Sequence, residues 1–236
     1  MPGLMEADDE GTYVVKYRGA GQGPKALVAE LIGGEIGRAL GLPVPEAVLV
    51  DLDASFGRLE IDYEIGHLLR TSTGVNHGLD FLPGSITYDP LVPPPPEAAF
   101  AADVVWLDAF AMNPDRTARN ANLLEWHGRI WLIDHGASLY VHHHRGDIRE
   151  RALDPFARIR DHVLLPFADD LAAADERAQE RLPRSVFEPI VAAVPESWLE
   201  QGYGGETASA VRERYLDFLT LRLEGAHVFV EEAARA

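Results

Sequence analysis

The chain contains no cysteine among its 236 residues. Disulfide frameworks, thiolate zinc sites and cysteine nucleophiles are therefore excluded. The chain also lacks any apolar run near the roughly 18 residues that a membrane-spanning helix requires. Its N-terminus carries Glu6, Asp8, Asp9 and Glu10 where a secretory signal peptide would carry basic residues. The sequence therefore predicts a cytoplasmic protein without a membrane partner.

Positive charge is also scarce. The chain has 21 Lys and Arg against 38 Asp and Glu, which gives a formal net charge of −17. Because nucleic acids and anionic membranes attract basic surfaces, this excess argues against either as a partner. Lysine is especially rare, since every basic residue except Lys16 and Lys25 is an arginine. Such a lysine is either retained by chance or marks a place where a forked guanidinium would not fit.

The N-terminal pattern predicts a strand, a helix and a second strand. A hydrophobic content of 47% is normal for a folded protein with a core. Residues 12–18 are rich in β-branched and aromatic types, which predicts a strand that carries Lys16. Apolar residues recur at helical spacing over residues 25–40. Residues 44–50 are apolar enough to predict a buried strand.

One face of the predicted helix combines an acid with small residues. Glu30 shares this face with Ala26, Gly33, Gly34 and Gly37. Each glycine lowers helix propensity. The pattern therefore predicts that this face approaches another backbone closely.

The chain divides naturally near a run of prolines. Residues 51–96 have a poor pattern and end in prolines at 93–96, and such a stiff segment suits a boundary between lobes. We expect a β-rich N-terminal lobe with one helix and the inter-lobe linker at residues 1–96. We expect a mainly helical C-terminal lobe at residues 97–236, with a helix at 97–112.

A predicted hairpin brings polar side chains together. Short strands at 123–126 and 129–134 flank His127-Gly128, the spacing of a two-residue hairpin. In that register the end of the second strand lies opposite Ala121, beside a polar loop. Three oxygen-bearing side chains would meet there: Asp115, Asn120 and Asp134. Carboxylate and amide oxygens suit Mg²⁺, and an acid free of the metal could orient or deprotonate a hydroxyl.

The same residues have protein-kinase spacing. Asp115 and Asn120 stand as in the catalytic loop of protein kinases, and residues 133–136 have the form x-Asp-x-Gly of their metal-binding turn. In the kinase scheme a strand lysine steadies the nucleotide phosphates and pairs with a helix glutamate. Lys16 and Glu30 follow that order of strand, connection and helix.

Four stretches of the sequence resemble HipA-like kinases, which are distant relatives of the phosphatidylinositol lipid kinases. They are residues 13–16, residues 29–30 with 39–45, residues 113–120 and residues 132–136. The resemblance covers about residues 12–165. It implies a two-lobed α+β protein-kinase-like fold, with a small β-rich N-lobe, a mainly helical C-lobe and the nucleotide in the cleft. The implied activity is ATP- and magnesium-dependent transfer of a phosphoryl group to an alcohol, most simply a protein serine or threonine.

The resemblance also implies residue roles. Lys16 would contact the ATP phosphates with Glu30 as its anchor, and Asp115 would be the catalytic base. Magnesium would be held by Asn120 and Asp134. The adenine-binding linker would fall near residues 78–83, with Phe81 and Leu82 as its contacts.

Two departures from the family pattern leave alternatives open. Family members generally carry a phosphate-covering loop before the strand lysine, but only fifteen residues precede Lys16. This loop is therefore missing, shortened or supplied by another segment. The glycine-rich residues 19–23 are either such a substitute or a flexible connection. Thr117 stands where toxin-type members have histidine, so regulation and protein-substrate specificity are not implied. The resemblance leaves the acceptor unknown, with a protein as one candidate. The competing hypothesis is a degenerate kinase-like module that acts through nucleotide binding or partner contacts.

Several of these residues also have simpler interpretations. Asp115 and Asp134, each read alone, are typical turn residues. The histidines at 142–144 invite a metal hypothesis, but adjacent residues of an extended segment point to alternate sides, which favours a solvated segment. Arg116 and Arg119 either neutralise phosphate charge or face solvent.

Overall fold

A computed structural model describes residues 2–140, 147–200 and 203–236. Its first part is built on a four-stranded antiparallel sheet in the order β1-β2-β4-β3. The strands are β1 (Pro2–Glu6), β2 (Thr12–Lys16), β3 (Ala47–Leu52) and β4 (Gly74–Asp80). Central β4 pairs with both β2 and β3, so the strand that bears Lys16 lies beside it.

The helices and a second, three-stranded antiparallel sheet make up the rest. The helices of the first half are α1 (Gly23–Ala39), α2 (Phe56–Leu59), α3 (Tyr63–Thr71) and α4 (Ala98–Ala111). The second sheet has the order β5 (Ile86–Thr87), β6 (Leu123–Trp126) and β7 (Arg129–Leu132). The later helices are α5 (Ile148–Ala152), α6 (Leu171–Arg181), α7 (Arg184–Ala192), α8 (Glu196–Leu199), α9 (Ala208–Glu224) and α10 (Ala226–Arg235). Two short 3₁₀ helices lie at Ala157–Asp161 and Leu165–Phe167.

The predicted hairpin is confirmed in position and register. β6 pairs with β7 from Trp126 opposite Arg129 to Leu123 opposite Leu132. The two turn residues both have positive φ angles, 49° at His127 and 70° at Gly128. Left-handed backbone at both central positions is what a tight type I′ turn requires, and its twist matches that of the flanking strands. The helix predicted at 25–40 is likewise confirmed as α1, and the strand with Lys16 as β2.

The strand predicted at 44–50 is shifted, and the expectation that it is buried is wrong. β3 runs from Ala47 to Leu52 and forms the edge of the sheet. Leu49 is 52% exposed, so the face of the sheet to which its side chain points is not covered at that position. The apolar content of the segment indicated strand correctly but not its place in the sheet.

The segment 51–96 contains more regular structure than its sequence predicts. The expected single helix of the N-terminal part is wrong, since α2 and α3 follow α1. Asp62 caps α3 by accepting hydrogen bonds from the backbone nitrogens of Glu64 and Ile65, at 2.9 and 3.0 Å. β4 was not predicted because it contains Asn76 and His77, which interrupt an apolar pattern but are fully buried.

The main core joins the helices. Aromatic side chains of α4, α7 and α10 stack at its centre, where the Trp106 and Phe110 ring centroids are 5.0 Å apart. α1 also packs into this core, against α7 and α8. The four-stranded sheet has a much smaller cluster of its own around Val15, Tyr17 and Leu52. α1 thus anchors the sheet to the helical core, and the division into lobes at residue 96 stays a prediction.

Within the described ranges, no helix combines the length and the apolar character needed to cross a membrane.

Candidate active site

Three of the predicted site residues meet at the ammonium group of Lys16. Lys16 Nζ donates to Glu30 Oε2 at 2.7 Å and to Asp134 Oδ1 at 2.6 Å. The three side chains come from β2, from α1 and from the turn after β7. The Glu30 side chain is fully buried, whereas 46% of the Asp134 side chain is exposed. The lysine therefore connects a buried acid with an acid that solvent can reach.

The two carboxylates keep this lysine charged. Burial alone would lower the pKa of Lys16, but the charges of Glu30 and Asp134 outweigh burial and raise it. Burial would likewise raise the pKa of Asp134, but the neighbouring ammonium outweighs it and lowers that pKa. For Glu30 burial prevails and the pKa is raised, although Lys16 opposes the shift. The group at the open side of the site is thus an ionised carboxylate beside a positive charge.

Small residues on α1 allow the turn after β7 to approach the helix. A Cβ atom added at Gly33 would lie 3.0 Å from Cβ of His135, and one at Gly136 would lie 3.1 Å from Glu30 Oε2. The predicted close approach of the glycine face is therefore confirmed. Asp134 has a φ of 57°, a left-handed conformation that is uncommon for residues other than glycine. This strained position holds its carboxylate beside Lys16.

Asp115 lies in a loop closed by its own amides. Its Oδ2 accepts hydrogen bonds from Asn120 Nδ2 at 2.9 Å and from Asn122 Nδ2 at 3.2 Å. Thr117 and Asn120 also exchange backbone hydrogen bonds of 2.9 and 3.0 Å. Asp115 and Asn120, two of the three residues expected to lie in one small region, are thus in direct contact. The sequence placed Asn122 in the loop but assigned it no role.

The hairpin joins the Asp115 loop to the Asp134 turn. The backbone nitrogen of Ile133 donates to the carbonyl of Asn122 at 3.1 Å, which continues the β6–β7 register by one position. Asp134 is the next residue after this last cross-strand hydrogen bond. The loop and the turn are therefore neighbours, and Lys16 reaches the turn from the other sheet.

A buried network beneath the loop was not predicted. Arg116 Nε donates to Asp108 Oδ2 at 2.5 Å, and both side chains are 0% exposed. Arg116 also donates to the carbonyls of Asn122 and Ile133. Both interpretations of Arg116 from the sequence are therefore wrong, because its guanidinium is enclosed within the protein. Arg119 is exposed. The available signal was Asp108, one of two acids, with Asp103, in the otherwise apolar helix α4.

His162 completes the network. Its Nε2 lies 2.9 Å from Asp108 Oδ2, while its Nδ1 accepts a hydrogen bond from the backbone nitrogen of Leu164 at 3.1 Å. Since Nδ1 accepts, Nε2 carries the proton and donates to Asp108. Burial opposes ionisation of Asp108, but Arg116 and His162 outweigh it and hold the pKa of Asp108 far below its usual range. The network is therefore a fixed ionic support for the loop.

Two buried histidines flank the site without charge. His77 lies opposite Lys16 in the β2–β4 pair, and His135 follows Asp134. Among the described residues neither ring has a hydrogen-bond partner. Burial lowers the pKa of each to about 3, and the nearby Lys16 charge adds to the effect. Both rings therefore act as neutral packing groups near pH 7.

The segment predicted to bind adenine starts at the end of β4. Phe81 N donates to the carbonyl of Thr12 at 3.0 Å, and Leu82 is 4% exposed. Trp126 Nε1 donates to the carbonyl of Pro83 at 2.9 Å. This linker is therefore tied to β2 on one side and to the hairpin on the other.

The turn that precedes the lysine strand is short and acidic. Residues 7–11 connect β1 to β2, and within them Asp9 accepts hydrogen bonds from Gly11 N and Tyr13 Oη, both at 2.8 Å. Its neighbours Asp8 and Glu10 add further negative charge. Such a turn does not attract phosphate, so residues 7–11 provide no basic or glycine-rich cover for it.

The part of the chain that the structure describes contains no group of three or more His, Asp or Glu placed to hold a metal ion. The histidines at 142–144 lie outside the described residues.

Comparisons with known proteins bear on the fold and on the family of the chain. The crystal structure of the proinflammatory kinase CtkA from Helicobacter pylori superposes with a TM-score of 0.58 at 14% identity. The match covers 99% of this chain and 95% of that one, so the mixed α+β fold is shared with a kinase. No curated protein sequence matches the chain. A family model described as HipA-like kinase matches residues 2–212, and the protein therefore belongs to the HipA-like kinase family.

Proposed function

We propose that this chain transfers the γ-phosphoryl group of ATP, with Mg²⁺, to a hydroxyl group, most simply that of a protein serine or threonine. The observation that carries the proposal is the contact of one ammonium, Lys16 Nζ, with both Glu30 and Asp134. In the kinase scheme this is the group that steadies the phosphates, and its acid partners hold it in place. The nucleotide would lie between residues 1–96 and 97–236, which act as the two lobes.

The linker after β4 supports an adenine site. The backbone nitrogen of Phe81 already donates to Thr12, so recognition of the ring edge would fall to the backbone of Leu82. The partly exposed Phe81 side chain would offer an apolar surface, since Leu82 is buried. Lys16 would then face the phosphates from the neighbouring strand β2.

The donor set at the open side of the site fits magnesium. Asp134 engages Lys16 through Oδ1, which leaves Oδ2 for a cation, and Asn120 uses Nδ2 toward Asp115, which leaves its amide oxygen. Mg²⁺ is commonly held by one or two protein oxygens, with phosphate oxygens and water filling the other positions. Two protein ligands are therefore sufficient. When bound, the ion would neutralise charge on the phosphates.

Asp115 would act as the base. Both amides that contact it, those of Asn120 and Asn122, donate to the same oxygen, Oδ2. These hydrogen bonds orient the carboxylate and leave Oδ1 to accept the proton of an acceptor hydroxyl. The buried Asp108–Arg116 pair below the loop would keep that oxygen in place.

The test separates binding from transfer. Asp115→Asn should abolish phosphoryl transfer from labelled ATP yet preserve the rise in melting temperature that MgATP causes. Asp134→Asn should lose both, because it removes a magnesium ligand and a partner of Lys16. Asp161→Asn is the control, because it removes one negative charge at an exposed position, as the other two substitutions remove one charge each. It should change neither phosphoryl transfer nor the melting shift. Turnover retained in Asp115→Asn would contradict the assignment of the base.

A second candidate is a degenerate module that binds nucleotide or partners without transfer. The short acidic turn at residues 7–11 favours it, because like charge disfavours phosphate there. A ligand that binds only the folded state raises stability by mass action. A melting shift with MgATP but no transfer to any acceptor would support the degenerate kinase, and no shift at millimolar MgATP would support the module.

A further inference from the structure

A cavity opens beside the Asp115 loop. It has a volume of about 350 Å³, within the size range of small-ligand pockets. Pro114, the residue that immediately precedes Asp115, forms part of its wall. Met112 and Phe156 supply apolar surface, and Arg151 and Arg158 supply positive charge. The cavity therefore adjoins the proposed base without containing the groups that would hold the nucleotide.

Both arginines of this cavity are available to a ligand. Among the described residues neither guanidinium makes an ion pair or a hydrogen bond. The cavity also contains Asp154, but its Oδ1 accepts a hydrogen bond from the backbone nitrogen of Phe156 at 2.7 Å. Asp154 thus holds its own turn, and among the described residues it makes no ion pair with Arg151 or Arg158.

Arginines without partners are confined to one part of the described chain. They are Arg119, Arg149, Arg151, Arg158 and Arg160. Residues 115–161 contain eight arginines against seven acids, whereas the whole chain has a net charge of −17. In so acidic a protein, unpaired guanidinium groups beside the proposed base indicate a place prepared for negative charge.

We propose that the phosphoryl acceptor carries an anionic group, a carboxylate or a phosphate, which binds in this cavity to Arg151 and Arg158. The proposal rests on the proposed function and specifies its acceptor. Guanidinium groups bind carboxylate and phosphate through paired hydrogen bonds. The acceptor oxygen then forms a bond to the γ-phosphorus, the bond from that phosphorus to the leaving ADP oxygen breaks, and Asp115 takes the hydroxyl proton.

The two arginines have matched controls in the same elements. Arg149 and Arg160 are exposed, lack partners among the described residues and do not line the cavity. The double variants Arg151→Gln/Arg158→Gln and Arg149→Gln/Arg160→Gln therefore remove the same charge from neighbouring positions. A difference between them reports on the cavity and not on net charge.

Phosphoryl transfer from MgATP by the full chain is measured with two kinds of acceptor. Serine-centred peptide pools with an aspartate fixed at each flanking position are compared with pools that have asparagine there, and glycerol 3-phosphate is compared with glycerol. We expect kcat/KM to be at least about tenfold higher for the anionic member of one pair, the effect of one charge-assisted contact. Which pair responds identifies the source of the anion. Arg151→Gln/Arg158→Gln should remove the preference, and the control pair should keep it.

A binding measurement makes the test independent of turnover. With the nucleotide site saturated by MgADP, added O-phosphoserine should raise the melting temperature of the unaltered chain and of the control, but not of Arg151→Gln/Arg158→Gln. Equal shifts in all three, or transfer without preference for anionic acceptors, would overturn the acceptor proposal. Absence of any MgATP shift in the unaltered chain would instead contradict the proposed function.

Discussion

Asp108→Asn tests whether the buried ionic network supports the Asp115 loop. The substitution keeps the shape of the side chain but removes its charge. In the unaltered chain Asp108 accepts hydrogen bonds from Arg116 at 2.5 Å, from His162 at 2.9 Å and from Asn113 at 3.1 Å. Because asparagine offers one acceptor oxygen, at least one of these donors would lose its partner.

The expected loss of stability follows from the burial of the partner. The Arg116 side chain is 0% exposed, so without Asp108 its charge would remain in the interior facing only backbone carbonyls. Removing one member of a buried pair typically costs about 3–5 kcal/mol. Domains unfold with about 5–15 kcal/mol in total, so the variant should fold but with a large part of its stability lost.

Urea unfolding followed by circular dichroism measures this loss, and Asp103→Asn is the control. Asp103 belongs to the same helix and pairs with Arg177 at 2.6 Å, but 36% of that arginine side chain is exposed. An exposed pair is worth at most about 1 kcal/mol. In a cycle with Arg116→Gln, the double variant should cost less than the two single changes combined. Equal losses for Asp108→Asn and Asp103→Asn would refute the reasoning.

Three further perturbations probe other buried groups. Arg222 is buried and donates to four backbone carbonyls, so Arg222→Met should lower the unfolding free energy by about 3–5 kcal/mol in urea titrations. Because burial lowers the pKa of His77 and His135 from 6.5 to about 3, protons bind the unfolded chain more readily, and stability falls as the pH drops below 6.5. At pH 5 each histidine should lower the free energy of unfolding by about 2 kcal/mol relative to neutral pH. His135→Phe should therefore reduce the decrease between neutral pH and pH 5 by about 2 kcal/mol. A methyl group at Gly136 would press on Glu30, so Gly136→Ala should weaken MgATP binding in calorimetry by roughly tenfold, about 1.4 kcal/mol.

The elements that the sequence predicts well are those with local signals. The hairpin follows from His127-Gly128 between two short apolar strands, and its register brings the end of the second strand to the Asp115 loop. The glycine face of α1 could also be predicted from a local signal, because helical periodicity places Gly33 and Glu30 on one side of the helix. Family likeness supplied the roles of these residues, and the local pattern supplied their positions.

The elements that the sequence predicts poorly depend on contacts distant along the chain. β4 is the central strand of its sheet, yet Asn76 is polar and buried because its amide donates to the carbonyls of Ser72 and Gly74. The apolar content of β3 encodes neither its place at the edge of the sheet nor the exposure of Leu49. The support of the Asp115 loop depends on Asp108 and His162, which are 54 residues apart. Burial and pairing of this kind arise only once the chain has folded.

The contacts of Lys16 explain why this position has a lysine in a chain where most basic residues are arginine. Two carboxylate oxygens from different elements, those of Glu30 and Asp134, converge on a single nitrogen at 2.7 and 2.6 Å. A guanidinium spreads its donors over a rigid plane and needs more room than a compact ammonium. Lys16→Arg should therefore preserve the charge but abolish the melting shift with MgATP, because its fork would displace the buried Glu30 or the Asp134 turn.

The other lysine provides the control. Lys25 Nζ lies 4.9 Å from the centroid of the Tyr203 ring, and arginine makes the same kind of contact with an aromatic face. Lys25→Arg should therefore leave the MgATP shift unchanged. If Lys16→Arg behaved in the same way, the convergence of two acids on one nitrogen would not be what selects lysine, and the retention of Lys16 in an arginine-rich chain would carry no functional meaning.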